Sequence, residues 1–330
     1  MRIPRCLSKG FPMHKLRKSR LAALVSVALA GCLLSSMALA TTSDTATGAS
    51  ATSTTADASS TGGTTFSNKL LLTGGVSSIE GSAGGGLTPW AVIGGYGTSN
   101  EIGANAFVTN VNTQAYRLNE VGALVGFYNR VEVSVAQQRF DTEQVGAALG
   151  LGNGFQFKQN IFGVKVRLFG DLVLDQNSWM PQVSVGIQRK QNDQAAVLKY
   201  IGAKSDEGTD YYITATKLFL GQSLLVNATV RMTKANQIGI LGFGGDKNNS
   251  YQPEFEGSVA YLLSRNVAIG AEYRQKPNNL GIAKEDDWYD AFVAWAPTKH
   301  VSLTLAYADL GNIVIKNNQR GLYASVQVGF

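Results

Sequence analysis

The sequence predicts an all-β fold: an antiparallel transmembrane β-barrel of the outer-membrane type, with about 14 strands and 12 as the alternative count. Three observations predict it. Segments of about ten residues alternate apolar with polar or small positions through most of the chain. Aromatic residues gather at the ends of those segments, and the chain closes on Phe330 after one such alternation.

The first element is an address. Residues 1–40 hold seven basic residues (Arg2, Arg5, Lys9, Lys15, Arg17, Lys18, Arg20) and no acidic one. An uncharged run, Leu21–Ala40, follows and closes on Ala38-Leu39-Ala40, the A-x-A form of a signal-peptide cleavage site. Two alternatives stay open: an uncleaved anchor, and a lipoprotein lipidated at Cys32 after Leu29-Ala30-Gly31. Without this segment the +6 chain carries 22 basic and 23 acidic residues, and both cysteines are gone. Disulfide frameworks and Cys/His metal sites are thereby excluded, and a near-neutral chain does not suit nucleic acid as a partner.

Residues 41–66 predict a disordered linker, since 23 of the 25 residues from Thr41 to Thr65 are Ser, Thr, Ala or Gly. Residues 67–330 then read as one barrel domain. Its opening stretch, 67–87, is rich in glycine (Gly74-Gly75, Gly84-Gly85-Gly86) and is expected to be a plug, an extra strand or a flexible lead-in.

The strands follow. Val131, Val133 and Val135 alternate with Glu132, Ser134 and Ala136, and Phe162, Val164, Val166 and Leu168 with Gly163, Lys165 and Arg167. Leu224 to Met232, Phe255 to Leu263, Val267 to Tyr273, Val301 to Tyr307 and Leu322 to Phe330 repeat the pattern. Strand side chains point alternately to opposite faces, so each segment has one apolar and one polar or small face. A soluble sandwich would use strands of roughly five or six residues; a tilted membrane strand needs about 9–11. Aromatics at Trp90, Tyr96, Tyr128, Trp179, Tyr251, Trp288 and Trp295 are expected to form interfacial girdles.

Strands are expected near 88–97, 102–111, 119–128, 130–139, 160–169, 180–189, 209–219, 222–232, 236–244, 253–263, 266–275, 286–296, 299–309 and 320–330. With both ends in the periplasm, Ser264–Arg265 and Pro297–Thr298 become periplasmic turns, and so does Thr233–Ala235. The rule of short turns inside and long loops outside then fails in the middle of the chain. Asp141–Gln159 and Arg189–Thr209 are long but periplasmic, and Leu220–Gly221 is short but external.

Several motifs resemble an uncharacterised Gram-negative family, domain of unknown function 3034. They are Leu70-Leu71-Leu72-Thr73-Gly74-Gly75, Gly84-Gly85-Gly86-Leu87-Thr88-Pro89-Trp90, Gly163-Val164-Lys165-Val166-Arg167, Lys276-Pro277-Asn278-Asn279-Leu280-Gly281 and Lys299-His300-Val301-Ser302-Leu303. The resemblance covers nearly all of residues 68–330. It implies an exported barrel and carries over no catalytic or ligand residue.

Candidate chemistry is sparse, and no enzyme is expected. His300 alone remains as a base beyond the address segment, at the start of a strand and without a spaced nucleophile and carboxylate. Glu285-Asp286-Asp287 reads as a solvated loop before a cation site, and Gly150-Leu151-Gly152-Asn153-Gly154 as a plain loop. No cofactor or metal is expected. The functional lead is the set of charges expected to face the lumen: Glu132, Lys165, Arg167, Arg231, Glu254, Glu256, Glu272 and Arg274. Segregated, they would set the field of a solute pathway; paired across a narrow lumen, they would close it. The expectation is a porin-like passive channel for small solutes in the outer membrane of a Gram-negative bacterium. A non-conducting barrel in envelope assembly or polysaccharide export and a plugged transporter of hydrophobic compounds are the alternatives. Outer-membrane lipid and the barrel assembly machinery are the expected partners, with Phe330 as the C-terminal assembly signal.

Overall fold

In the computed structural model the structure describes residues 69–330. The expected signal peptide, Cys32 and the 41–66 linker lie outside the described residues. Twelve strands close into an antiparallel barrel. They are β3 (Ile102–Thr113), β4 (Arg117–Phe127), β5 (Val131–Asp141), β6 (Gln156–Phe169), β7 (Gln182–Asn192), β8 (Glu207–Phe219), β9 (Leu224–Thr233), β10 (Gln252–Ser264), β11 (Val267–Arg274), β12 (Trp288–Trp295), β13 (Val301–Asp309) and β14 (Arg320–Gly329). Each strand pairs with its neighbours in sequence, and β14 closes on β3 from Gly321↔Thr113 to Gly329↔Asn105. Two short strands, β1 (Val76–Ser77) and β2 (Ala83–Gly84), pair with each other.

The alternation decides which face is which. Val133, Val135, Phe162, Val164, Val259 and Leu305 stand exposed on the outside, while the residues between them are buried. A closed barrel leaves no unpaired edge, so its apolar exterior suits lipid. Outward aromatics lie at both ends: Tyr128, Trp179 and Trp295 at one, Tyr211, Tyr251, Tyr289 and Tyr307 at the other.

Twelve strands replace the fourteen first counted, and the two surplus segments are both inside the barrel. Residues 88–97 hold Pro89 and Gly94-Gly95, with Gly95 at φ +78°, and run as coil through the lumen. Residues 236–244 begin with a short 3-10 turn, and Gly239, Gly242 and Gly244 all have positive φ. Their Ile238, Ile240, Leu241 and Phe243 are buried within the molecule instead of facing outward. Removing both segments restores the loop asymmetry. Connections 142–155, 193–206, 234–251, 275–287 and 310–319 now share one end with the tight turn 114–116, and 128–130, 220–223, 265–266, 296–300 and the longer 170–181 the other. Thr233–Ala235 is accordingly the start of the longest loop, not a periplasmic turn. Trp90 and Trp288, expected in the girdles, are buried inside at 5% and 3% exposure.

Residues 71–97 are buried or half-buried within the lumen. Ser78 N–H donates to Ser82 O and Gly81 N–H to Ser78 O, folding residues 78–82 into a tight turn between β1 and β2 with Glu80 at its tip. Gly81 takes φ +86° there, a conformation that favours glycine. Gly85 is required for space, because a Cβ on it would stand 2.0 Å from Glu272 Oε1.

Candidate functional site

The site is the lumen, and the inward side chains of the strands meet the luminal segment there. Period two places Lys190 on β7, Asp210 on β8, Arg231 on β9, Glu256 on β10 and Arg274 on β11 on the inner face, all at 3% exposure or less. Into this ring the hairpin tip presents Glu80. Its Oε1 meets Lys190 Nζ, and its Oε2 lies 3.1 Å from Arg231 Nη2 and 2.9 Å from Arg274 Nη1. Lys190 Nζ also donates to Asp210 Oδ2 at 2.6 Å and to Ile238 O at 3.1 Å, and the Arg231 and Arg274 guanidiniums share Glu256 Oε1. Gln188 accepts from Arg231 Nη1 at 2.7 Å and donates to Glu80 O. The Arg231 guanidinium stacks 5.1 Å over the Tyr212 ring.

Three cations thus face three carboxylates, and one carboxylate belongs to the luminal segment. Buried ions are tolerated when paired and hydrogen-bonded, and removal of one partner costs about 3–5 kcal/mol. Glu80 therefore ties the segment to three strands at once.

Two further anchors grip the segment by its backbone. Glu132 accepts from Ala83 N–H (3.1 Å) and Gly94 N–H (2.8 Å), while Lys165, 3.1 Å from Glu132, donates to Ala83 O. Glu272 accepts from Leu87 N–H (2.7 Å) and from the Thr88 and Ser258 hydroxyls, and Arg274 donates to Leu87 O. Lys69 donates to Ile93 O at 2.8 Å, and burial pushes its ammonium down to about 8, partly countered by Glu132.

Of the lumen residues expected from sequence, Arg231, Glu256 and Arg274 share the central network, and Glu132, Lys165 and Glu272 hold the segment beside it. Glu254 faces inward opposite Arg231 in the β9–β10 register. Arg167 stands apart near the other barrel end, 3.3 Å from Asp171, and Phe330 joins β3 through hydrogen bonds with Ala104. Sequence reasoning missed Glu80, Lys190 and Asp210. The signal for Lys190 and Asp210 was parity: each shares its face with buried Gln188 or Tyr212, whereas Arg189 and Tyr211 next to them face out.

The remaining motifs disperse. Burial pushes the Glu285 carboxyl up and the Lys276 ammonium down, offset by their 3.0 Å contact; Asp286 pairs with Lys284, and Asp287 accepts from Tyr273. His300 Nδ1 lies 2.8 Å from Gly329 O, with its ring against Phe330 and Tyr96. Two cavities, of about 30 and 20 Å³, lie among the buried residues, each large enough for only a water or two.

A family described as "Protein of unknown function (DUF3034)" matches residues 73–327. The chain belongs to that family. Among solved structures this DUF3034 chain is similar to the KdgM porin (10% identity, TM-score 0.44, 68% of this chain and 99% of that one). It is also similar to the NanC porin (11%, 0.44, 69% and 98%) and to the outer membrane protein Omp33 of Acinetobacter baumannii (7%, 0.43, 71% and 100%). No curated protein matches it. In the DUF3034 barrel, then, the functional reading rests on the lumen itself.

Proposed function

We propose that this protein is an outer-membrane barrel that passes small solutes, and that its own luminal segment keeps it shut at rest. Lipid would cover the outward Val133, Val259 and Leu305, and the barrel assembly machinery would read β14 together with Phe330 just after it. One observation carries the closed state: Glu80 pairs with Lys190, Arg231 and Arg274 across the lumen. A resting pathway would need that space wet and those charges apart.

The test is planar-bilayer conductance of the refolded protein. Wild type is expected to stay closed with rare openings, and a variant lacking residues 69–97 is expected to conduct steadily. Thr88 and Ser258 touch through their hydroxyls from segment and wall, and the mature chain expected after Ala40 has no cysteine. Oxidised Thr88→Cys/Ser258→Cys should therefore abolish the rare openings, and reductant should restore them. A segment-deleted barrel that still shows folded, heat-modifiable migration yet passes no current would establish a non-conducting structural barrel instead.

A further inference from the structure

The tip of the β1–β2 hairpin behaves chemically as a tethered ligand. Without Glu80 the wall keeps three cations, Lys190, Arg231 and Arg274, against two anions, Asp210 and Glu256. The donors released are one Lys190 Nζ proton aimed at one carboxylate oxygen, and Arg231 Nη2 and Arg274 Nη1 aimed at the other. This arrangement fits one carboxylate group, held by charge-assisted bonds among side chains buried to 3% exposure or less. Among the neighbouring carboxyl groups, Glu132 is paired with Lys165 and Glu272 is occupied by Leu87, Thr88 and Ser258. Glu120 and Asp290, by contrast, are buried with no hydrogen-bond partner among the described residues and no ion pair to the three cations.

Next to this socket lies an apolar cavity of about 30 Å³, lined on its wall side by Val111, Tyr116, Phe140 and Trp288. Two chain segments join cavity and socket. Ile79 lines the cavity and Glu80 fills the socket; Gln237 lines the cavity and Ile238 O accepts from Lys190. Withdrawal of the hairpin tip removes Ile79 together with Glu80, so the cavity enlarges as the socket empties. Trp288 Nε1 is buried and has no hydrogen-bond partner among the described residues.

We infer that the socket and cavity together bind a small organic carboxylate with an apolar body, which displaces Glu80 and thereby releases the luminal segment. The inference deepens the gated-pathway reading and rests on it for release, but binding is measured separately from current. The carboxylate takes the three cationic donors, and the body takes the space between Val111, Phe140 and Trp288. Solute and plug then compete for one site.

The experiment uses the full mature chain in detergent, with benzoate as probe and acetate and benzyl alcohol as controls, followed by calorimetry. Glu80→Ala vacates the socket and unties the hairpin tip, so that Ile79 can leave the cavity with it. This variant should bind benzoate saturably and acetate on the order of tenfold more weakly, because acetate lacks the apolar body. Benzyl alcohol, with the body but no charge, should not bind measurably. Wild type should bind benzoate on the order of tenfold more weakly than Glu80→Ala, since Glu80 competes. Equal binding of benzoate and benzyl alcohol, or no benzoate binding by a folded Glu80→Ala barrel, would overturn the inference. If Glu80→Ala does not fold, wild type in planar bilayers decides: benzoate must raise the opening frequency well above benzyl alcohol, and equal frequencies overturn the inference. Silence of the segment-deleted barrel would instead overturn the gated pathway, leaving the calorimetric result to stand by itself.

Discussion

Glycine and aromatic side chains are matched across neighbouring strands on the inner wall. Phe107 stands opposite Gly122, Tyr212 opposite Gly186 and Phe292 opposite Gly270, each in direct register. At Gly186 a Cβ would lie 2.2 Å from Tyr212 Cζ, so the ring occupies the space that a side chain would take. The Tyr212 ring in turn supports the Arg231 guanidinium that holds Glu80. Gly186→Val is therefore expected to displace the ring and the arginine, at a cost of about 1–3 kcal/mol for overpacking. The urea midpoint of the refolded protein should fall accordingly. Gly221, in an exposed turn with open space around its ideal Cβ, is the control: Gly221→Ala should leave the unfolding free energy within about 0.5 kcal/mol of wild type.

At the level of elements, the luminal segment carries a pH signature. Lys69 has its ammonium pushed by burial from 10.5 to about 8. Between those values the undocked segment binds more protons than the docked one, so docking strengthens as pH rises through that window and is flat below about 8. The urea midpoint should be higher at about pH 9.5 than at about pH 7.5, and Lys69→Met should remove the difference. Strands were legible because ten-residue alternation has one period and one meaning. The two segments wrongly read as strands, 88–97 and 236–244, are apolar for another reason: they pack inside the lumen, and Pro89 and the glycines at 94, 95, 239, 242 and 244 mark the break. The inner-face charges were legible from parity, but their partners were not. Pairing depends on strand register and on where the hairpin turns, and neither leaves a periodic trace. Glu80 was unreadable as the central anion because nothing local distinguishes it from a surface glutamate.

For the whole molecule, the decisive property is that the outside is apolar at mid-height, whereas the buried ions and hydroxyls all lie inside. Val259 lies near the middle of β10, 49% exposed, beside outward Val226 and Ala271 of the neighbouring strands. Ser258, one residue earlier, is buried and hydrogen-bonds Glu272 and Trp90. An arginine introduced at a lipid-facing position costs about 2–4 kcal/mol at the bilayer midplane and about 0–1 near the interface. Val259→Arg should therefore lower stability in phospholipid vesicles by that larger amount. Ile315→Arg, in the 310–319 connection and 48% exposed, should change it little. A water-exposed barrel would respond differently, because an arginine on a wet surface replaces valine at almost no cost. The comparison therefore reads out where the hydrocarbon lies: folding of the two variants and wild type into vesicles, with urea titration of each, should rank Val259→Arg lowest. Equal midpoints for all three would remove the membrane from around β10, and with it the outer-membrane reading of the barrel.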